Sequence, residues 1–273
     1  MDPRWWIGIG VALFLALAGY IWLKTPQELQ PTVRALEGIA ESRLKLARTS
    51  ASELEYRKFL TRVIPYFRES AHEFSYVLRG RAVGFLKNQE IEVQPGYLLV
   101  IPRRTALGLR VISPEPLELL SVYAPAPTGL DEIQVLIGDI FPPGDPSSLH
   151  PHPLPIGESD LQPHLVNLGV WENKELPRGS SLFEWTYLAR STAGSVALVR
   201  VRERLQFQKR SPHFLYIRRG RARITVGEET LEATAGQVAI LPNVPTRIME
   251  RVGEELLEFL LFSAPPLRAK DIF

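Results

Sequence analysis

One segment of this chain occurs twice, and a constant number of residues separates the two copies. The stretch HEFSYVLRGRAVGF at 72–85 is matched by HFLYIRRGRARITV at 213–226. An offset of 140 residues holds at four pairs of positions: Tyr76 and Tyr216, Gly80 and Gly220, Gly96 and Gly236, and Pro102 and Pro242. This period is too long for a solenoid repeat, so the sequence predicts a duplicated domain.

The residues around both copies alternate between apolar and polar side chains in short runs. Runs such as FSYVLRGRAVGFL and SVALVRVRE are separated by Gly, Pro and Asn, which predicts antiparallel strands in an all-β fold. A Pro-rich stretch between the copies contains FPPGDPSSLHPHPLP and predicts a connector. Its histidines, His150, His152 and His164, are interpreted as part of this solvated connector, because no strand fixes their spacing for a metal.

The N-terminus predicts a single transmembrane anchor. The 19 residues from Trp5 to Leu23 carry no charge, and as a helix they would extend about 28 Å, close to the hydrocarbon thickness of a bilayer. A cleaved signal peptide, with Ala16-Leu17-Ala18 as its cleavage site, is the alternative. Gly8, Ala12 and Ala16 recur every four residues, and this stripe predicts close packing against another helix, unless it only reflects how common small residues are in membrane spans.

Apolar residues scattered among charges from Thr32 to about Val63 predict a short amphipathic helical segment. Seven Lys or Arg face four Glu in this segment, so its basic side could lie on anionic lipid or pack on its own domain. The chain has no cysteine, which excludes disulfides and thiolate chemistry. Its net charge is +2, and no nucleic-acid-binding module is recognisable, so we expect no nucleic-acid partner.

The spacing within each copy resembles the cupin family. A Tyr-Val or Tyr-Ile strand precedes a glycine, and a second glycine, an apolar run and a proline follow. A duplicated cupin implies two jelly-roll barrels. The expected fold is therefore mainly β: an anchor at 1–24, a juxtamembrane helical segment at 25–63, a first barrel at 64–127, a connector at 128–164 and a second barrel at 165–273.

The resemblance also implies where metal ligands would lie, which in active cupins are three histidines and a glutamate. The corresponding places in the first copy hold Tyr66, Arg68, Glu73 and Ala106, and those in the second hold Gln206, Gln208, His213 and Thr246. Most of these residues are unsuitable ligands. We therefore expect no metal, no other cofactor and no catalysis.

These observations predict a non-catalytic, membrane-anchored accessory subunit of a bacterial membrane complex, with lipid and other subunits as partners. The alternative is a sensor of a sugar-like small molecule or an atypical cupin enzyme that uses the second barrel, with Trp171, Trp185, Tyr187 and Glu184 beside Gln206 and His213. We expect the inner membrane as its location. Lys24, Arg34 and Arg43 favour a cytoplasmic body by the positive-inside rule, but N-terminal anchors often carry periplasmic domains, so the side stays open.

The densest basic run is Arg218, Arg219, Arg221 and Arg223. Arginine at alternate positions of an outer strand is ordinarily solvated. The same run could instead bind phosphate, carboxylate or an acidic partner.

Overall fold

The protein is described by a computed structural model that covers residues 29–135, 160–172, 174–207, 211–245, 247–268 and 271. The strands of its first half are β1 Thr32–Ala35, β2 Arg43–Arg48, β3 Glu53–Phe59, β4 Arg62–Arg68, β5 His72–Arg79, β6 Ala82–Leu86, β7 Gln89–Val93, β8 Tyr97–Ile101, β9 Leu107–Val111, β10 Leu117–Ala124 and β11 Glu132–Gln134. Those of its second half are β12 His164–Asn167, β13 Arg178–Gly179, β14 Phe183–Arg190, β15 Ser195–Val201, β16 Arg204–Phe207, β17 His213–Arg219, β18 Arg221–Val226, β19 Glu229–Thr234, β20 Gln237–Leu241, β21 Arg247–Val252 and β22 Leu257–Ser263. A 3₁₀ turn spans Leu168–Trp171.

These strands form two barrels, each made of a large sheet and a small sheet. In the first barrel the large sheet has the order β12-β8-β5-β10-β3-β2 and the small sheet β11-β4-β9-β6-β7. In the second barrel the orders are β1-β20-β17-β22-β15-β14-β13 and β16-β21-β18-β19. The series β8-β5-β10-β3 and β20-β17-β22-β15 are equivalent, which confirms the predicted mainly β, duplicated jelly-roll fold.

The repeated glycines have repeated backbone conformations. Gly80 and Gly220 both have a φ of 78°, and Gly96 and Gly236 have φ values of 89° and 84°. A left-handed backbone favours glycine, which explains why the sequence keeps this residue in both copies.

The two barrels exchange edge strands. β1 comes before the first barrel in the chain, yet it pairs with β20 of the second barrel, where Val33 lies opposite Ala239. Conversely, β12 follows the connector and pairs with β8 of the first barrel, where Leu165 lies opposite Leu99. Each exchanged strand covers an edge that would otherwise leave backbone groups unpaired.

The outer faces of the two large sheets pack against each other. Their shared apolar core includes Tyr56, Phe74 and Val122 from the first barrel and Leu198 and Phe262 from the second. The equivalent tyrosines Tyr76 and Tyr216 meet here, with ring centroids 5.1 Å apart. Each large sheet is therefore buried on both faces, because each barrel also has an interior core of its own.

The predicted helical segment at 25–63 is wrong where the structure describes it, because residues 32–68 contain β1, β2, β3 and β4. The charged residues of β3 belong to the segment that was predicted to lie on anionic lipid or to pack on its own domain as a helix. Glu53, Glu55 and Arg57 are in fact at most 4% exposed and point into the first barrel, where they form ion pairs. The alternate residues Leu54 and Tyr56 face the core between the barrels. Sequence pattern alone could not distinguish buried charges that are paired from charges in water.

The predicted anchor, including Gly8, Ala12 and Ala16, lies outside the described residues. Among the residues that are described, no helix is long and apolar enough to cross a bilayer.

We expect Gly220→Ala to destabilise the protein more than Gly227→Ala. Both glycines have positive φ, so each alanine carries a backbone cost of about 1 kcal/mol. At Gly220 the new Cβ would also lie 2.7 Å from the Leu256 carbonyl oxygen, whereas at Gly227 nothing lies within 4 Å. This overlap should lower the free energy of unfolding by about a further 1–3 kcal/mol, measured by denaturant titration. Equal losses for the two variants would contradict the close approach.

Candidate functional site

The ligand places of the first barrel are occupied by a buried ionic cluster. Glu73 on β5 is fully buried and accepts hydrogen bonds from the Tyr66 hydroxyl at 2.9 and 2.8 Å. Arg68 Nε donates to the same carboxylate at 3.2 Å, and Arg57 Nη1 donates to it at 3.3 Å. Ala106, the fourth place, is 3% exposed and offers no ligand atom.

This cluster holds Glu73 in its charged form. Burial raises the pKa of Glu73, but the charges of Arg57 and Arg68 and hydrogen bonds from Ser75 and Tyr66 outweigh burial and lower the pKa below its usual range. Two guanidinium groups already neutralise the carboxylate. A divalent cation does not fit among them, because like charges would repel it.

The second barrel keeps one imidazole at its ligand places. His213 on β17 is fully buried. Gln206 lies between the core residues Leu205 and Phe207 on β16, so it points to the opposite face of that strand. Gln208 and Thr246 lie outside the described residues. A metal does not fit here either, because the Arg247 guanidinium lies 3.0 Å from the His213 Nδ1 atom.

Arg247 is the functional candidate that sequence reasoning missed. It begins β21, is fully buried, and lies opposite Phe207 and Val226 in the sheet. The internal repeat contains a signal for it, since the residue 140 positions earlier is Leu107, an apolar core residue. An arginine in one copy where the other copy has a buried leucine indicates that the two positions differ in function.

The guanidinium of Arg247 has hydrogen bonds on one side. Its Nη1 donates to the carbonyl of Ser211, to His213 Nδ1 at 3.0 Å and to the carbonyl of Pro242 at 3.4 Å. Within the described part of the chain, its Nε and Nη2 have no hydrogen-bond partner and no carboxylate pairs with it. Burial lowers the pKa of Arg247 to about 10.

This contact also fixes the role of one ring nitrogen of His213. A guanidinium only donates, so Nδ1 of His213 accepts this hydrogen bond. The other ring nitrogen, Nε2, lies 3.4 Å from the Ser211 hydroxyl oxygen. The pair therefore places a cation beside an imidazole, the side chain that most often transfers protons in enzymes.

A cavity of about 660 Å³ opens at this end of the second barrel. Its wall includes Pro212, Val226 and Pro242. Pro212 precedes His213 in the chain, Val226 lies opposite Arg247 in the sheet, and the Pro242 carbonyl accepts a hydrogen bond from Arg247. Arg48 and Glu228 also belong to its lining.

Of the aromatic residues predicted to line a pocket with His213, Trp185 belongs to the interior core of the second barrel and Tyr187 packs on that core. Trp185 and Tyr187 stack edge to face, with ring centroids 4.9 Å apart, and Arg178 covers both rings. Trp171 packs on the core between the barrels, and its carbonyl accepts from Arg200, which also pairs with Glu184 at 3.7 Å.

The arginines of the basic run on β17 and β18 differ in burial and in their partners. Arg218 is largely buried, pairs with Glu258 at 2.5 Å and donates to the Tyr76 hydroxyl of the other barrel at 3.2 Å. Arg219 makes an exposed pair with Glu255, and Arg221 and Arg223 are exposed. His164 on β12 contacts the carbonyls of Gln162 and Leu188. Among the described residues, no three His, Cys, Asp or Glu side chains are placed to hold a metal.

This fold is that of a bicupin, and comparison with known proteins agrees. Residues 61–123 match the family Cupin_2, described as Cupin domain. No curated protein matches the sequence. A variant of salicylate 1,2-dioxygenase from Pseudoaminobacter salicylatoxidans is 13% identical with a TM-score of 0.62, and the alignment covers 92% of each chain. A variant of oxalate decarboxylase from Bacillus subtilis is 16% identical with a TM-score of 0.54, covering 86% of this chain and 74% of that one.

The comparison corrects one prediction. The lost metal ligands predicted that the chain is not an enzyme, whereas several structures that share its fold are named as enzymes, among them salicylate 1,2-dioxygenase and oxalate decarboxylase. At this identity the likeness concerns the fold alone. A departure from the usual ligand set therefore does not exclude catalysis.

We expect Glu73→Gln to lower the free energy of unfolding by about 3–5 kcal/mol at neutral pH, because it leaves Arg57 and Arg68 buried without their shared counter-ion. Glu92→Gln is the control, since its pair with Arg81 is about half exposed and should contribute little.

The same carboxylate should make stability depend on pH. A lowered pKa in the folded state stabilises the protein fully above the ordinary value of 4.5, and this contribution is lost as the pH falls through the folded-state pKa. Denaturant titration of the wild type and Glu73→Gln at pH 7 and at acidic pH should show the difference shrinking. A constant difference would contradict a charged Glu73.

Proposed function

We propose that this protein is an atypical cupin enzyme that binds a small organic acid in its second barrel, at Arg247 and His213. The observation that carries this proposal is the buried Arg247 guanidinium, which has no acidic partner among the described residues. A buried charge without a counter-ion is unfavourable by several kcal/mol in proteins, roughly. A bound carboxylate would supply the missing negative charge.

The geometry also suits the chemistry of a carboxylate. Nε and Nη2 belong to the planar fork that binds carboxylates through two parallel hydrogen bonds. Both nitrogens are closed off from solvent, so the acid must be small and must displace part of the wall beside Pro212 and Pro242. His213 would then lie next to the bound acid as the residue able to transfer a proton.

The structural relatives support this choice of ligand class. The named substrates of salicylate dioxygenase and oxalate decarboxylase are both carboxylic acids. The proposal transfers only that class of compound to this chain, and it includes no step on a metal.

The test is consumption of salicylate and oxalate by the full chain. We expect at least one of them to be consumed, and His213→Gln to lower the rate by about a hundredfold or more. Arg247→Gln should mainly raise KM, because it removes the charge that binds the acid. His72→Gln, which changes the buried imidazole of the first barrel, should leave the rate unchanged.

If neither acid is consumed, or if His72→Gln is as slow as His213→Gln, the enzyme assignment is wrong. Saturable binding without consumption would favour the alternative of a small-molecule sensor.

We further propose that the chain is tethered to the inner membrane by the uncharged segment from Trp5 to Leu23. The role as an accessory subunit, with other membrane subunits as partners, stays a prediction that depends on this tether. The stripe of Gly8, Ala12 and Ala16 is its proposed helix-packing face.

We expect the full chain to remain in the membrane pellet after an alkaline carbonate wash, and Leu15→Arg to release it. An arginine at the centre of a span opposes insertion by about 2.5–3.5 kcal/mol. Leu15→Ala should stay in the pellet. Release of the wild type by the wash would contradict the tether.

A further inference from the structure

The first barrel has a separate cavity of about 270 Å³, where β3, β4 and β11 meet. Four basic side chains line it: Arg43, Arg57, Lys58 and Arg62. Tyr66, at a former ligand place, belongs to the same wall.

The charges around this cavity are unbalanced. Its acidic lining residue, Glu132, already pairs with Arg43 at 3.4 Å and with Arg68 at 2.9 Å. Within the described residues, Lys58 and Arg62 form no salt bridge. Both residues therefore belong to the cavity lining without an acidic partner, and Lys58 Nζ lies 3.5 Å from a neutral acceptor, the carbonyl oxygen of Ile39.

Arg57 places a further cation at the floor of the cavity. Its guanidinium stacks on Phe59 and Tyr66, with 5.0 and 4.9 Å from Cζ to the ring centroids. All the hydrogen bonds it makes within the described structure use Nη1. Because Arg57 lies in the cavity lining and none of these hydrogen bonds uses Nε or Nη2, both nitrogens are free to donate to an anion there.

Exposed apolar side chains border this cationic cavity. Leu60, in the turn between the lining residues Phe59 and Arg62, is 74% exposed, and Ile64 in the wall itself is 45% exposed. Large apolar residues that project beside a basic cavity are typical of a surface that contacts lipid, because the basic groups meet phosphate while the apolar groups meet hydrocarbon.

We infer that this cavity binds the phosphate of an anionic phospholipid headgroup, with Leu60 and Ile64 in contact with the adjoining acyl region. Lys58 and Arg62 supply the unpaired charge, and Arg57 supplies donors at the floor. Free inorganic phosphate carries the same kind of negative charge, but it has no acyl chain that could contact Leu60 and Ile64. This inference uses none of the residues of the second-barrel site and stands independently of the proposed enzyme function.

The test uses soluble short-chain lipids, so that the N-terminal segment cannot account for binding. Full-length protein in dodecyl maltoside is titrated by calorimetry with dihexanoyl-phosphatidylglycerol, dihexanoyl-phosphatidylcholine and inorganic phosphate. We expect phosphatidylglycerol to bind at least tenfold more tightly than the other two. The double change Lys58→Gln with Arg62→Gln should weaken it about thirtyfold, since each basic group near anionic lipid contributes about fivefold.

Two further variants separate charge from apolar contact. Leu60→Ser with Ile64→Ser should reduce phosphatidylglycerol binding to the level of phosphate and leave phosphate binding unchanged. Arg219→Gln with Arg221→Gln removes two exposed charges from the second barrel and should leave all affinities unchanged.

Each other outcome overturns the inference. Equal affinity for phosphate and phosphatidylglycerol would indicate a free-phosphate site. Equal affinity for both lipids would indicate apolar binding only. Absence of saturable binding, or full binding by Lys58→Gln with Arg62→Gln, would show that this cavity holds no headgroup.

Discussion

The apolar core between the two large sheets is the interaction on which the rest of the structure depends. Because Tyr76 and Tyr216 meet there, neither large sheet has a solvated face, and β15 and β22 are buried along their whole length. Strands buried on both faces appear in sequence as continuous apolar runs rather than alternating ones. The exchange of β1 and β12 reinforces this core, since each strand joins the barrel that is distant from it in the chain. Unfolding of one barrel would therefore expose apolar surface of the other.

The two barrel interiors treat buried charge in opposite ways. In the first barrel, Glu73 forms ion pairs with Arg57 and Arg68 and accepts a hydrogen bond from Tyr66. These contacts compensate its buried negative charge. In the second, Arg247 has only neutral acceptors within the described residues. Burial of a charge is tolerated where partners replace the lost water. The first interior therefore compensates its own buried charges, whereas Arg247 in the second has no counter-ion among the described residues, which is why the proposed enzyme site is placed there.

Much of the architecture could be predicted from the sequence because the duplication leaves a periodic record. The constant offset at Gly80 and Gly220 predicted equivalent turns, and their equal φ values confirm it. The helix predicted before the first barrel failed for an electrostatic reason, since Glu55 and Arg57 look like solvent-facing residues in sequence and are paired inside the barrel. Arg247 escaped notice because only its contacts, not its residue type, reveal that it lacks a counter-ion.

The sequence by itself determined the strands and turn glycines of the repeated segments, because these depend on residues that are close in the chain. It determined the duplication because the two copies keep similar residues at a constant offset. The assignment of residues to metal-ligand places rests on the cupin resemblance and stays a prediction. Only the tertiary structure decided that β1 belongs to the second barrel, that Arg218 reaches Tyr76 of the other barrel, and that Arg57 opens onto a basic cavity bordered by Leu60. These features join residues far apart in the chain, and whether a charge is compensated depends on the distances among such residues, which local patterns do not encode.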